Sequence, residues 1–298
     1  MGVSFKERGR AIIDAAACIG CGACAANCPD EVLTMNEDKA QAGDGIFMGC
    51  IACGQCVAIC PAAAIAVEGR GMRRDDRMPL PVAEPRPAAQ QMAALLYGRR
   101  SVRRYEKRDV EREKLDWILE MVATAPMGIP PSDVGVLVFH GRDKVARFAA
   151  EMCASFGRMA KQLNPFMLAV SRLWMKKHEQ VAMREFIVPL LKMLSQKHAE
   201  GHDLFTYDAP AALLFHHGPM ADGADCHIAA TYAMLAAESQ GLGSCLIGSA
   251  VGLNYDKKLK ANYGIPPENK VGLAMALGYP AVKFSRAVKR RLASVRFL

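Results

Sequence analysis

The sequence predicts an α+β fold in two parts: a small cysteine-rich domain, then a larger α/β domain whose central mixed sheet is flanked by helices. Two cysteine repeats occupy the start of the chain, a proline-rich stretch follows them, and the remainder alternates strand patterns with helical periodicity. A length of 298 residues also agrees with two domains of ordinary size. We therefore place the cysteine-rich domain at residues 1–68, a linker at 69–91 and the second domain at 92–298.

The cysteine-rich domain is defined by two quartets with the spacing C-x2-C-x2-C-x3-C-P, which together use eight of the eleven cysteines. Bacterial domains with two [4Fe-4S] clusters have this spacing, and the fourth cysteine of each quartet binds the other cluster. Zinc ribbons instead use pairs of cysteines, and disulfides need an oxidising compartment, so both explain the pattern less well. The expected ligands are Cys18, Cys21, Cys24 and Cys60 for one cluster, and Cys50, Cys53, Cys56 and Cys28 for the other.

The remaining elements follow from local patterns. A short strand-like segment comes after each quartet, at 31–35 and 64–67. The linker is rich in proline and is therefore expected to be an extended, semi-rigid spacer. In the second domain, helical periodicity predicts helices at 92–97, 110–124, 143–203 and 224–239. Proline is expected to interrupt the third of these at Pro165 and Pro189. Continuous apolar runs predict buried strands at 134–139, 211–215 and 270–277.

Charge is divided unevenly between the two parts. Residues 1–68 contain four Lys or Arg and eight Asp or Glu, a net charge of −4, whereas the whole chain has +8 and the remainder therefore +12. This division is not a nucleic-acid signature. Two explanations of the charge division remain. Either the two parts are simply solvated separately, or the basic domain binds an anionic cofactor or an acidic electron carrier. No integral membrane segment is expected, and the many thiolates indicate the reducing cytoplasm.

Three segments of the second domain contain candidate binding residues. Arg99–Tyr105 is an arginine-rich run whose guanidinium groups and serine hydroxyl suit a phosphate. Residues 125–131 form a stiff Pro/Gly loop before a strand, which can present backbone amides to a flat ring. Gly241–Gly248 is read as a glycine loop of the kind that admits cofactors. Taken singly, each is also typical of a solvated surface or an ordinary connection.

In this order and spacing, the three segments resemble the nitroreductase superfamily of FMN flavoproteins over about residues 92–298. The N-terminal part resembles the two-cluster ferredoxins, so the whole chain resembles ferredoxin–nitroreductase fusion proteins. The resemblance implies FMN, and a homodimer with two FMN sites at the interface, each built from both chains. The implied FMN-binding residues are Arg99, Arg100, Ser101 and Arg103 for the phosphate and ribityl chain, Arg290 and Arg291 for the phosphate, and Leu246, Ile247 and Gly248 along the ring.

The sequence departs from the family pattern in two places. Many members have Ala-Pro-Ser-x-x-Asn-x-Gln-Pro in the second segment, where the Asn binds the flavin, but Pro130 is the aligned residue here. Backbone contacts from Met127, Gly128 and Ile129 are the expected substitute. A Met-rich helical insert at about 153–205 is the second departure. The insert is read as extra core helices, as a lid that selects a bulky or apolar substrate, or as a membrane-surface element.

The resemblance implies an FMN-dependent oxidoreductase that passes electrons between the two clusters and FMN, and reduces or oxidises a small organic substrate. A ferredoxin- or flavodoxin-type carrier is the expected electron partner, and NAD(P)H is the alternative donor. The competing functions are an electron-relay module that serves a partner protein, an enzyme of flavin or cofactor metabolism, and a reductive dehalogenase. No catalytic residue is assigned. Cys245, within the third segment, is either a reactive thiol or a buried small apolar residue.

Overall fold

The two parts of the chain each enclose their own hydrophobic core. The computed structural model describes residues 7–80, 87–128, 133–163, 167–168 and 175–297. In the cysteine-rich part, one cluster of buried residues includes Leu33, Ile65 and Val67. The α/β part has two larger clusters, one on each face of its sheet. This arrangement agrees with the predicted α+β fold in two parts.

The cysteine-rich part repeats one structural unit, a short helix followed by a strand. Its elements are β1 (Arg10–Ile13), α1 (Ala23–Ala26), β2 (Leu33–Asn36), β3 (Lys39–Ala42), α2 (Gln55–Ile59) and β4 (Ile65–Glu68). β1 pairs antiparallel with β4, and β2 with β3. α1 follows Gly22, at φ +70°, and α2 follows Gly54, at φ +72°. Glycine adopts this left-handed conformation without a steric penalty, so both quartets make the same turn.

The predicted strands at 31–35 and 64–67 are confirmed with small shifts, as β2 and β4. β1 and β3 were not predicted. β3 reads Lys-Ala-Gln-Ala, and only one of its residues is buried, so its sequence has little strand pattern of its own. Pairing with β2 provides the hydrogen bonds that hold it, as is usual where tertiary context decides strand formation.

The α/β part alternates helices with strands. Its helices in the described residues are α3 (Ala89–Gly98), α4 (Arg112–Ala123), α5 (Arg142–Gln162), α6 (Lys177–Ala182), α7 (Val188–Ala199), α8 (Gly223–Ser239) and α9 (Lys257–Asn262). Its strands are β5 (Val134–His140), β6 (Ala211–His217), β7 (Gly243–Ile247) and β8 (Lys270–Gly278). None of the helices in the described part of the chain is long and apolar enough to cross a bilayer.

The sheet has the order β5-β6-β8-β7, and each neighbouring pair is antiparallel. A parallel bridge joins Ser101 to Ser244 of β7, so this edge of the sheet is mixed. Because successive side chains of a strand point to opposite faces, Leu214 packs in the cluster with α5 and α7. Leu213 and Phe215 pack in the cluster with α4 and α8. The sheet therefore lies between two helical layers, and β5 and β7 are its edges.

The helical insert differs from its prediction at Pro189. α6 continues into a π-helical turn at Met183–Ile187, and α7 begins at Val188 without a break. The interruption predicted at Pro189 therefore takes the form of a π-turn just before the proline, and not of a gap between two helices. The wider π-turn removes the i→i−4 bond that proline cannot donate, and proline is well tolerated in the first turn of a helix. Pro165 lies outside the described residues.

The predicted glycine loop at Gly241–Gly248 is also partly wrong, because Gly243–Ile247 forms strand β7 and a 3-10 helix follows at Gly248–Tyr255. The glycines of this segment conceal the pattern of a short strand, whose buried residues face the core. Gly243 is needed there, because a β-carbon at this position would collide with the Val102 side chain. The close approach allows the Val102 N–H to donate to Ser244 O at 2.9 Å.

Candidate functional site

The fold gathers the quartet cysteines around two separate cavities. One cavity is lined by Cys18, Cys21, Cys24 and Cys60. The other is lined by Cys28, Cys50, Cys53 and Cys56. Each cavity receives three cysteines of one quartet and the last cysteine of the other, since α1 and α2 pack against each other. Closing either cavity therefore needs both halves of the repeat.

Seven of the eight quartet cysteines are at least partly buried. In the described parts of the chain, no three His, Cys, Asp or Glu side chains converge on a single metal position. Burial, together with the neighbouring Cys50 and Cys53 thiols, raises the pKa of Cys56 to about 11. The Ala64 N–H donates to Cys60 Sγ at 3.3 Å. Each cavity therefore offers four cysteine thiols as ligands for a metal group.

Asp30 organises the loop that leads into the second quartet. Its side chain is buried, with 4% of the residue exposed. The carboxylate accepts hydrogen bonds from the backbone N–H groups of Phe47, Met48 and Gly49, the last at 2.6 Å. Burial alone would raise the pKa of Asp30, but these hydrogen bonds and Arg8 hold it below its ordinary value. Asp30 thus fixes the residues immediately before Cys50 beside Cys28, on the same cavity.

The arginine-rich segment extends the sheet at its β7 edge. Besides the Ser101–Ser244 bridge, the Glu106 N–H donates to Tyr279 O and the Ala281 N–H donates to Arg104 O, each at 2.9 Å. The segment therefore follows the ends of β7 and β8. Its side chains are held by backbone pairing on an ordered edge, which is the rigid support that a binding site needs.

Arg100 has an unsatisfied donor. Its Nη2 atom is buried and has no hydrogen-bond partner among the described residues. A buried donor of a charged group is costly to leave unpaired. The guanidinium fork binds phosphate with two parallel hydrogen bonds, so a phosphate is the natural partner for this nitrogen. The predicted role of Arg100 is compatible with this geometry.

Arg103 and Ser101 lie beside Cys245 of β7. The Arg103 guanidinium is 5.7 Å from the centroid of the Tyr207 ring. Interactions with the Cys245 thiol and with Tyr207 raise the pKa of Arg103 above its ordinary value. Burial raises the pKa of Cys245, although Arg103 and the Ser101 hydroxyl act in the opposite direction. Arg103 and Ser101 therefore lie on the same side of the arginine-rich segment, next to β7.

The residues predicted to lie along the ring separate into two groups. Leu246 is 39% exposed, and a β-carbon added at Gly248 would meet no atom within 4 Å. Ile247 is instead buried in the core cluster that includes α5. Leu246 and Gly248 border open space next to the arginine-rich segment, while Ile247 anchors β7 to the core.

The second predicted segment precedes β5 in the chain, and its described residues contact the α4 and α8 side of the sheet. Met127 packs against the cluster that includes α4 and α8. The Gly128 N–H donates to Asp225 Oδ1 at 3.1 Å. Ile129 and Pro130 lie outside the described residues, so only Met127 and Gly128 of this segment are placed. The arginine-rich run is instead paired with β7, so different elements hold the two segments.

The C-terminal residues leave the fold after β8. Arg290 and Arg291 are exposed and lie in a stretch without helix or strand. Neither makes a hydrogen bond or an ion pair with any residue that the structure describes. Within one chain, they are not held at the arginine-rich segment.

The insert contributes to the core and also lines an apolar cavity. Phe156, Leu191 and Leu194 belong to the core cluster, so part of the insert packs as core helices. Other insert residues face a cavity with an empty volume of about 1140 Å³, which includes open solvent. The opposite wall is the 3-10 helix, which begins at Gly248. The lining includes Met159, Leu163, Met183, Ile187, Leu190, Ser249, Val251 and Tyr255.

The three cysteines outside the quartets are all buried. Burial raises the pKa of Cys153 and of Cys226 to about 12. At pH 8, the thiolate fraction of such groups is roughly 10⁻⁴, and the thiolate is the nucleophile. We predict that iodoacetamide leaves both unlabelled in the native protein at pH 8 and labels both after unfolding in guanidinium, as read by mass spectrometry. Rapid labelling of either in the native protein would contradict these environments.

Two carboxylates at the sites were not predicted from the sequence. Asp30 directly follows Cys28-Pro29, so its position next to a ligand motif could have indicated a role at the site. No local sequence pattern indicates the role of Asp225, because it lies 97 positions from Gly128, which it contacts. It stands in the first turn of α8, where an acidic residue is ordinary.

Both parts of the chain match known families. A model of the nitroreductase family matches residues 96–279, which is more than half of the chain. A model of the 4Fe-4S dicluster domain matches residues 10–61. No curated protein is significantly similar to the sequence. The two matches lie in the predicted order, cysteine-rich part first.

The α/β part is similar to solved structures. A nitroreductase with bound FMN from Bacteroides fragilis NCTC 9343 superposes with a TM-score of 0.54 and 21% identity, covering 70% of this chain and 98% of that chain. An FMN-dependent nitroreductase from Clostridium difficile R20291 gives 0.45 and 21%, covering 69% and 98%. A nitroreductase with bound FMN from Desulfitobacterium hafniense DCB-2 gives 0.48 and 18%, covering 68% and 97%. The first of these shows a common fold.

Proposed function

The chain belongs to the nitroreductase family and joins that domain to a 4Fe-4S dicluster domain, and from this premise we propose an oxidoreductase that passes electrons between two [4Fe-4S] clusters and FMN. The acceptor is a small organic substrate, which the enzyme reduces or, in the reverse direction, oxidises. The observation that carries the proposal is the pair of four-cysteine cavities in the same chain as a nitroreductase fold. The cytoplasm is the proposed location, because thiolates persist in a reducing compartment.

The two cavities fit one cluster each. Four cysteines are the usual ligand set of a [4Fe-4S] cluster, and ligation across the two quartets is typical of two-cluster domains. The crossed lining of both cavities supports this assignment. Asp30 holds the residues before Cys50 in place, and the Ala64 N–H donates to the Cys60 sulfur. Such hydrogen bonds to ligand sulfurs tune the reduction potential of a cluster.

The β7 edge fits FMN. Arg100 offers a buried donor that lacks a partner among the described residues, and Arg99, Ser101 and Arg103 accompany it on the paired segment. These residues would bind the phosphate and ribityl chain, and Leu246 and Gly248 leave open space for the ring. When bound, FMN supplies two-electron chemistry to match the one-electron chemistry of the clusters.

A homodimer would unite the two halves of this site. The arginine-rich segment is paired with β7, whereas Met127 packs against the cluster that includes α4 and α8, and Gly128 is bonded to Asp225 of α8. We propose that the Met127–Gly128 backbone of one chain completes the site of the other. The exposed Arg290 and Arg291 are then free to reach the phosphate across the interface.

The apolar cavity indicates the class of substrate. It lies between the insert and the 3-10 helix, whose first residue is Gly248 of the proposed FMN site. Its wall is mainly Met, Leu, Ile and Val, and methionine adapts to irregular apolar shapes. We propose that the insert covers the site and selects an uncharged, apolar substrate. A ferredoxin- or flavodoxin-type carrier is the proposed donor, with NAD(P)H as the alternative.

Reoxidation of the reduced flavin distinguishes the enzyme from an electron relay. We predict that the full chain, reduced anaerobically with dithionite, is reoxidised stoichiometrically by apolar nitroaromatic compounds or quinones, as followed by flavin absorbance. Charged analogues of the same compounds serve as matched controls and should react more slowly, because the cavity wall is apolar. If only an electron-carrier protein reoxidises the flavin, the relay function is correct and the enzyme is not.

A further inference from the structure

We infer that Asp225 is the positioning residue that holds the flavin-facing backbone at Gly128, and this inference rests on the proposed function. Asp225 is 4% exposed, and its Oδ1 accepts the Gly128 N–H at 3.1 Å. The contact joins the first turn of α8 to the loop between α4 and β5, two parts of the chain that are far apart in the sequence. Asp225 thereby fixes a backbone segment that the flavin would touch.

The geometry around Gly128 leaves little freedom. A β-carbon added at Gly128 would lie 3.3 Å from Asp225 Oδ2 and 3.7 Å from Oδ1, so the carboxylate lies directly against the glycine backbone. Gly128 itself is exposed on its other side. Asp225 therefore supports the backbone from the protein interior, and the open side of Gly128 remains available to a ligand.

The buried Asp225 carboxylate costs the fold stability. Its Oδ2 is buried and has no hydrogen-bond partner among the described residues. An unpaired buried acceptor destabilises a fold, and an apolar residue would avoid that penalty. The position in the first turn of α8 offsets part of it, since the helix dipole favours a negative charge there. A carboxylate that is not optimal for folding is typical of a residue with a functional task.

The chemistry of the second segment explains why this support is needed. Where many relatives have an Asn that binds the flavin, this chain has Pro130. Without that side chain, the contact depends on backbone groups, and backbone groups bind well only when they are held in place before the ligand arrives. The hydrogen bond that the Gly128 N–H donates to the buried Asp225 carboxylate holds this backbone in place before the ligand binds.

Titration of the deflavinated full chain with FMN tests the inference. We expect Asp225→Ala to weaken FMN binding about tenfold, since one hydrogen bond to a charged group is lost. Asp225→Asn keeps an acceptor oxygen and should bind FMN within about threefold of the wild type. Cluster iron should be unchanged in both variants. Dissociation constants are read from the quenching of FMN fluorescence.

A matched control lies in the same helix. Asp222 caps α8 by accepting the Ala224 N–H at 2.7 Å and is exposed. Asp222→Ala should therefore destabilise α8 without changing FMN affinity. Unchanged affinity in Asp225→Ala, equal losses in Asp225→Ala and Asp225→Asn, or an equal loss in Asp222→Ala would each overturn the positioning role.

Arg100→Ala separates failure of the inference from failure of the proposed function. If Arg100→Ala weakens binding and Asp225→Ala does not, only the role of Asp225 is wrong. If the wild type does not bind FMN, or Arg100→Ala binds it as tightly as the wild type, the proposed FMN site is wrong as well.

Discussion

Replacing Cys28 with Ala should remove the same cluster as replacing Cys53, although the two cysteines belong to different quartets. Both line one cavity, whereas Cys24 lines the other. Loss of one ligand should leave about four irons per chain in place of about eight, since each cluster contains four irons. The surviving cluster should give the same electron paramagnetic resonance spectrum in Cys28→Ala and Cys53→Ala, and a different one in Cys24→Ala.

The control for these variants is Cys153→Ala. Cys153 is buried in the core of the α/β part and lies outside both quartets, so its replacement should leave all iron in place. The flavin content of every variant should match the wild type, because the two parts have separate cores. If Cys28→Ala and Cys24→Ala retain the same cluster, each quartet binds its own cluster and the crossed assignment is wrong.

Replacing Arg100 with Ala should weaken FMN binding by about 10- to 100-fold. Hydrogen bonds to charged groups contribute about 1.5–3 kcal/mol each, and a factor of ten corresponds to about 1.4 kcal/mol. Arg100 offers a buried Nη2 without a partner among the described residues, so its side chain can gain a full hydrogen bond from the phosphate. Arg100→Lys should bind with intermediate affinity, because lysine keeps the charge and loses the planar fork.

The charge-matched control is Arg112→Ala. Arg112 is exposed on α4, where it pairs with Asp116 at 2.7 Å, so its loss changes the net charge without touching the β7 edge. FMN affinity should remain at the wild-type value in this variant. An equal loss of affinity in both variants would mean that overall charge, and not the Arg100 contact, attracts the cofactor.

The cluster cavities follow from the sequence because their information is local. Two or three residues separate successive cysteines of each quartet. The glycine before each short helix gives both quartets the same turn. The order of helices and strands was also predictable, because apolar periodicity marks long buried elements such as α4 and β8. The arginine-rich segment could be found from composition, but its pairing with β7 could not.

What could not be predicted depends on contacts between distant parts of the chain. β7 begins at Gly243, is flanked by Gly241 and Gly248, and forms a strand because β8 and the Ser101–Val102 backbone pair with it. Pro189 is accommodated by a π-turn that no sequence pattern signals. Asp225 and Gly128 are far apart in the sequence, and the residues around neither of them indicate that the two are in contact.

The most direct test of the central claim is the amount of iron and of extractable flavin per chain, in protein purified without oxygen. Two [4Fe-4S] clusters and one FMN predict about eight irons and about one flavin per chain. Full iron with no flavin would contradict the oxidoreductase proposed here and would leave a cluster domain joined to a domain of another function.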